Sequence, residues 1–503
     1  MKSLRTLQIL TVTALGMAAL LALIPAAGHD QLWFLLMAQR WLHGATLYGP
    51  EIFDSNTPAV VWLSAIPVAM AERLHLGIPF AAKLLAVLLE AGIATLSWRI
   101  LSLRVTLSPS QKAFLAFAFV TLFAIVPARD LGQRDQLAVL LCLPYVLAAA
   151  SESSPPLALL AAIGACLKPQ QALVLVAVEI TVLIRRRRPR VDSAVILLAG
   201  AAFLLAVHHL TPLFFTLTLP TLLSTYWAIA HLTLFQLFLE SLQLHVLALI
   251  ALALFFRPRL QSAPATTLRP TITLFLVAGT AATLAYYLQA TGWYYQQLPG
   301  IAFFGCALAL ELVVLTDAHP IPTPAWFPYA TAALGVLALT LTIHFSGYPF
   351  SLRPFTEDRT YAIDTPDPTF FASLPPGTPI ATLTTSVDDA IMPVYRYRLM
   401  WSQRTNNLWT LPAILRGTKL TPLRRAELIA QQHRWMVEDL THWQPKLVLV
   451  ARCQDPAVRC QELEDRHDNL LAFFQQDPAF NAIWSHYRFL RSSGPYDAYA
   501  LLP

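Results

Sequence analysis

Asp30 directly follows His29, where the first long apolar run ends. A carboxylate at such a boundary is costly unless it does something. It can take a proton from a hydroxyl or amine nucleophile, which is general-base work. Asp is also a favoured N-cap, here for a segment over 31–42, and spacing leaves both roles open. Asp130 and Asp135 stand in PARDLGQRDQL beside Arg129 and Arg134. One reading makes them surface ion pairs, worth little, with Asp135 capping the helix that follows. The other makes them a second acidic site whose arginines hold a phosphate.

Lys168, in CLKPQQ, separates two short apolar runs. A lysine at such a break needs a partner, either a lipid phosphate or, by snorkelling, the interface itself. Tyr294 and Tyr295 in GWYYQQ read as an interfacial aromatic belt or as ligand contacts, and Tyr48 closes the loop that Asp30 opens. Lys83 and Glu90 are seven apart, so they share a helix face and read as structural. No nucleotide-binding loop, HExxH, GxSxG or metal-carboxylate run occurs. The residues imply no cofactor and no metal ligand, and leave open whether a divalent metal takes part.

The elements that hold these residues are apolar. Of 503 residues 56% are hydrophobic and 13% charged, against roughly 25% charged in a soluble domain. This is the composition of a polytopic α-helical membrane protein. About twelve apolar runs span 4–345, and charge orients them by the positive-inside rule. Lys2/Arg5, Arg99/Arg104/Lys112, Arg185–Arg190 and Arg257/Arg259/Arg269 are all cytoplasmic if 59–77 is re-entrant or lies at the interface. About 11 crossings then remain, with the N-terminus inside. The run 156–184 becomes a hairpin of two short helices broken at Lys168-Pro169. Residues 28–58, 128–135, 168–170 and 291–295 then open on the outer face. The net charge of +6 reads as an orientation signal, which sets nucleic acid aside.

After residue 345 the chain turns polar. A strand is expected over 379–385, a helix over 424–443, a buried strand over 446–451 and a closing edge strand over 496–502. These make residues 346–503 an extracytoplasmic α/β domain behind a membrane domain of residues 1–345. Cys453 and Cys460 lie in it, spaced so that a disulfide is permitted but not required.

The order of these motifs resembles the GT-C class of integral-membrane glycosyltransferases, specifically bacterial relatives of protein O-mannosyltransferases and the lipid A aminoarabinose transferase. The matching pieces are Asp30 after the first helix, Gly44-x-x-x-Tyr48, Asn56-Thr57-Pro58 opening an apolar segment, Asp135 before a Leu-rich helix, and Leu167-Lys168-Pro169. The resemblance implies an inverting transferase of the bacterial inner membrane. Its donor would be a polyprenyl-phosphate sugar, and its acceptor a lipid, glycan or protein on the outer face. Asp30 would be the base, Asp135 the second outer-loop acid, and Lys168 the contact to the lipid phosphate. His29, Tyr48, Asp130, Tyr294 and Tyr295 would line the substrate. The family's Lys-Pro-Pro is here Asn56-Thr57-Pro58, which leaves Arg129 or Arg134 to supply the missing cation. A lipid-linked glycan transporter and a non-catalytic scaffold are the rival readings, and a transporter predicts charge spread through the bilayer depth.

Overall fold

The computed structural model describes residues 28–127, 130–257, 267–317, 366–386, 391–458 and 467–502. The first apolar run (4–26), the last (325–345), Arg129 and Cys460 lie outside them. Helix dominates. In chain order the helices are α1 (His29–Leu42), α2 (Ala59–Leu74), α3 (Ile78–Ser102), α4 (Pro109–Val120), α5 (Arg134–Ala149), α6 (Pro155–Leu167), α7 (Ala172–Arg186), α8 (Val191–Leu210), α9 (Leu219–Thr225), α10 (Leu234–Glu240), α11 (Leu242–Phe255), α12 (Arg269–Gln289) and α13 (Leu298–Asp317).

Four described helices are long and apolar enough to cross a membrane: α3, α8, α12 and α13 with its 3₁₀ lead-in. The pair α10 and α11, bent by 77°, makes a fifth if it is one broken span. Helix α8 exposes Leu197, Leu198, Leu204 and Leu205. An apolar surface of that extent is favourable against hydrocarbon and costly in water.

The described chain packs as two compact units. One contains 66–206 and 232–317, the helical bundle. Within it α5 is the central helix: its residues from Arg134 to Ala149 are all buried except Leu137. It packs closely on α6, where Gly164 lets the backbones approach; a Cβ there would lie 2.8 Å from the carbonyl oxygen of Ala138. Small residues at helix contacts are the usual way that membrane helices gain dispersion contacts. Between α6 and α7 the chain breaks at Lys168, whose φ of −141° and ψ of 90° are extended. Pro169 causes this, since its ring clashes with a helical residue before it. A short 3₁₀ turn, Pro169–Gln171, then starts α7.

The other unit joins 28–65 and 207–231 to the C-terminal part of the chain, so the compact units do not follow a cut at residue 345. Its sheet has the order β2-β1-β3-β5-β4, with β1 Pro379–Leu383, β2 Met400–Trp401, β3 Leu447–Ala451, β4 Tyr487–Ser493 and β5 Tyr496–Leu501. Strand β1 runs parallel to β2 and β3, whereas β5 is antiparallel to β3 and β4. Strand β3 is fully buried, and α14 (Pro422–Trp443) buries Leu428, Trp435, Met436 and Leu440. The strand expected to close the sheet, β5, is an interior strand, and β4 is the edge. From Arg488 to Ser492 every residue of β4 is exposed, so it shows no alternation by which a sequence reading could find it. Cys453 is disulfide-bonded, while Cys142, Cys166 and Cys306 form no disulfide.

Candidate functional site

The candidate residues divide between the two units. In the bundle, Asp135 occupies the first turn of α5. The cap of that helix is not Asp135 but Gln133, whose side chain accepts from the Asp135 backbone N–H at 2.7 Å. That releases the Asp135 carboxylate for another use. It is fully enclosed, and Lys168 Nζ lies 3.3 Å from its Oδ2. The Arg134 guanidinium Nε lies 3.7 Å from the same oxygen. Among the described residues neither Asp135 oxygen accepts a hydrogen bond, so the carboxylate is held by charge alone. The Tyr295 ring sits 5.7 Å from Lys168 Nζ as a cation–π partner. Tyr294 donates its hydroxyl to the Val126 carbonyl at 3.1 Å.

Asp130, Arg134, Asp135 and Lys168 are all buried. The reading of surface ion pairs therefore gives way to an enclosed cluster of one acid, Asp135, and two cations, Arg134 and Lys168, with Asp130 buried as well. Gln136, next to Asp135, donates its amide to the Glu90 carboxylate on α3. Lys83, two turns before Glu90 on α3, feels the Asp130 charge. Lys83 and Glu90 thus each find their partner on another segment rather than in each other.

Glu90 also lines a cavity of about 580 Å³ that runs between α3 and α4, with Leu143 and Leu147 of α5 and Phe275 of α12 behind it. The lining is almost wholly apolar. Ser97 contributes a buried hydroxyl with no hydrogen-bond partner among the described residues. The volume is that of a small-molecule or lipid-chain site.

In the second unit, Asp30 lies in the first turn of α1, and Gly28 is the N-cap. Asp30 is therefore not the cap, although its charge suits the positive end of the helix dipole. His29 Nε2 is 3.2 Å from Asp30 Oδ1, and both side chains keep partial access to solvent, at 14% and 16%. A histidine beside a carboxylate is an arrangement that can take up and pass on a proton.

Beyond α1 the loop is tied inward. Trp33 donates its indole N–H to Asp54 Oδ2 at 2.8 Å, and the Asn56 backbone N–H donates to Asp54 Oδ1 at 2.7 Å. Tyr48 adopts φ +63°, uncommon for a side-chain-bearing residue. Its hydroxyl donates to the Asn56 carbonyl at 2.6 Å. Burial, reinforced by the Asp54 carboxylate, holds the Tyr48 phenol well above its ordinary value. Tyr48 is thus engaged in shaping the loop. Asp54, which accepts from both Trp33 and Asn56, is the residue that organises it.

No group of three or more His, Cys, Asp or Glu residues suited to a metal ion occurs among the described residues. No protein-family model matches the chain, and no curated protein matches it.

Proposed function

We propose that the chain is a membrane glycosyltransferase that moves a sugar from a polyprenyl-phosphate donor to an acceptor at the outer face of a bacterial inner membrane. The observation that carries this reading is the Asp135–Lys168 pair with Arg134, enclosed at a helix break in a bundle of apolar helices. Buried charge in such a bundle is expensive and marks a substrate path or a reaction centre. Lys168 and Arg134 have the chemistry to stabilise a leaving lipid phosphate once Asp135 releases them. The apolar cavity beside Glu90 supports a lipid-linked substrate, since it offers a prenyl chain a dry channel. Asp30, with His29 against it and partial access to solvent, is the base that activates the acceptor. About 11 crossings, with the C-terminal domain outside, complete the reading.

Sugar transfer in purified membranes tests it, with a panel of polyprenyl-phosphate sugars as donors. Asp30→Asn should lower kcat by about 10²–10⁴-fold, the usual size of general-base catalysis, at matched detergent-extracted yield. If Asp30→Asn keeps near-full rate while the wild type transfers, the base lies elsewhere.

One observation favours a transporter instead. Lys83, Glu90 and Glu311 are buried along the lengths of α3 and α13, and neither oxygen of Glu311 has a hydrogen-bond partner among the described residues. Charge along the helices is what a substrate path requires. Wild-type protein that transfers no sugar but equilibrates a fluorescent lipid-linked glycan across vesicles would establish that reading.

A further inference from the structure

In an open α/β sheet the carboxyl ends of the parallel strands are where ligands bind. Here the carboxyl end of β2 is already occupied by the chain's own first loop. Arg40, in the last turn of α1, donates to the Gln403 carbonyl at 2.8 Å and to the Trp401 carbonyl at the end of β2. It also donates to the Glu51 carbonyl at 2.8 Å, and its guanidinium stacks 5.0 Å from the Trp443 ring. Thirteen residues further on, Phe53 donates its backbone N–H to the Arg404 carbonyl. The Phe53 ring inserts between Trp409, at 5.9 Å, and Trp435, at 4.5 Å. Arg404 beneath it is fixed by Asp439, with Nε–Oδ1 at 2.8 Å.

Arg40 and Asp30 are on one helix, about 15 Å apart by the helical rise. The other end of that helix is held through Trp33 and Asp54. A short helix tied at both ends moves as a rigid body, so whatever holds Arg40 sets the place of Asp30.

We propose that Arg40 is the positioning residue for Asp30, and that the C-terminal α/β domain serves as the holder of the helix that carries the base. The role given to Asp30 rests on the transferase reading; the clamp itself does not. A guanidinium suits this place because it is planar and offers five donors to a converging set of carbonyls. An ammonium offers a compact point charge that cannot reproduce that fork.

The test uses the full-length protein in detergent or nanodiscs and reads two quantities. Hydrogen exchange of the amides in 30–42 should quicken at least about tenfold in Arg40→Ala, with 134–149 unchanged as the internal reference. In sugar transfer, Arg40→Ala should lose about 10²-fold in kcat, the effect of misplacing a catalytic group by about 1 Å, with the donor KM nearly unchanged. Guanidinium chloride added to Arg40→Ala should restore part of kcat, and Arg40→Lys should stay well below wild type. If Arg40→Ala fails to fold, Phe53→Leu replaces it, with the same direction and a smaller size. Unchanged exchange over 30–42 overturns the proposal. So does faster exchange with full kcat, or a loss of kcat that guanidinium leaves untouched. Should the wild type transfer no sugar, the exchange measurement still decides the clamp, and it is the transferase reading that falls.

Discussion

Asp135 and Lys168 each make the other tolerable. Removing one partner of a buried pair leaves an uncompensated charge, at a cost of about 3–5 kcal/mol, whereas replacing both by apolar groups of similar volume is often neutral. Asp135→Asn and Lys168→Met should therefore each lower the thermal midpoint in detergent. The double variant Asp135→Leu/Lys168→Met should recover most of it while remaining inactive in transfer. A double variant that is active would remove the pair from the chemistry. The sequence made both residues conspicuous, because a lysine before a proline and acids beside arginines stand out in an apolar chain. It could not pair them. Their contact crosses from one helix to another, and the partners that sequence reasoning offered Lys168 were a lipid phosphate or the interface. Lys83 and Glu90 teach the same lesson from the other side. Their spacing puts them on one face, yet each is met by a residue from another segment.

At the scale of elements, the distance between Asp135 and Lys168 depends on how closely α5 and α6 approach. Gly164 is one turn before Lys168, and its contact, Ala138, is three residues after Asp135. A methyl at 164 meets backbone, which cannot swing aside. Gly164→Ala should destabilise by about 1–3 kcal/mol, the usual price of overpacking. It should also lower transfer more than Gly200→Ala, where a Cβ meets open space. Equal effects from the two substitutions would mean that helix spacing does not control the pair. Periodicity and composition made the long helices, the helix at 422–443 and the buried strand at 447–451 legible. Capping was not, since Gly28 and Gln133 hold the N-cap positions that one of two open readings gave to Asp30 and Asp135. Strand β4 stayed invisible because its exposed run of Arg488, Phe489, Leu490 and Arg491 carries no face.

At the scale of the whole molecule, charge placement gives a topology that can be checked directly. In a background with Cys142, Cys166 and Cys306 changed to Ser, a cysteine at Arg187 should react with an impermeant maleimide only in inside-out vesicles. A cysteine at Arg434 should react only in right-side-out ones. Both positions are exposed, so a failure to react reports sidedness rather than burial. The composition shift after residue 345 precedes the C-terminal sheet but does not announce which other segments belong to the same compact unit. Nothing in the spacing of 28–65 or 207–231 announces that they pack with the C-terminal part of the chain.

That packing has a consequence for how the protein is made. Arg40 and its acceptor Gln403 are 363 residues apart. At ribosomal rates of about 5–20 residues per second, the first loop waits on the order of 20–70 s for the strand that receives it. Throughout that interval Trp33 and Phe53, both later enclosed, have no partner from β2 or α14 to cover them. Biogenesis therefore includes a period in which this loop is a target for proteases and a client for chaperones. Chains truncated before residue 400 should never leave it.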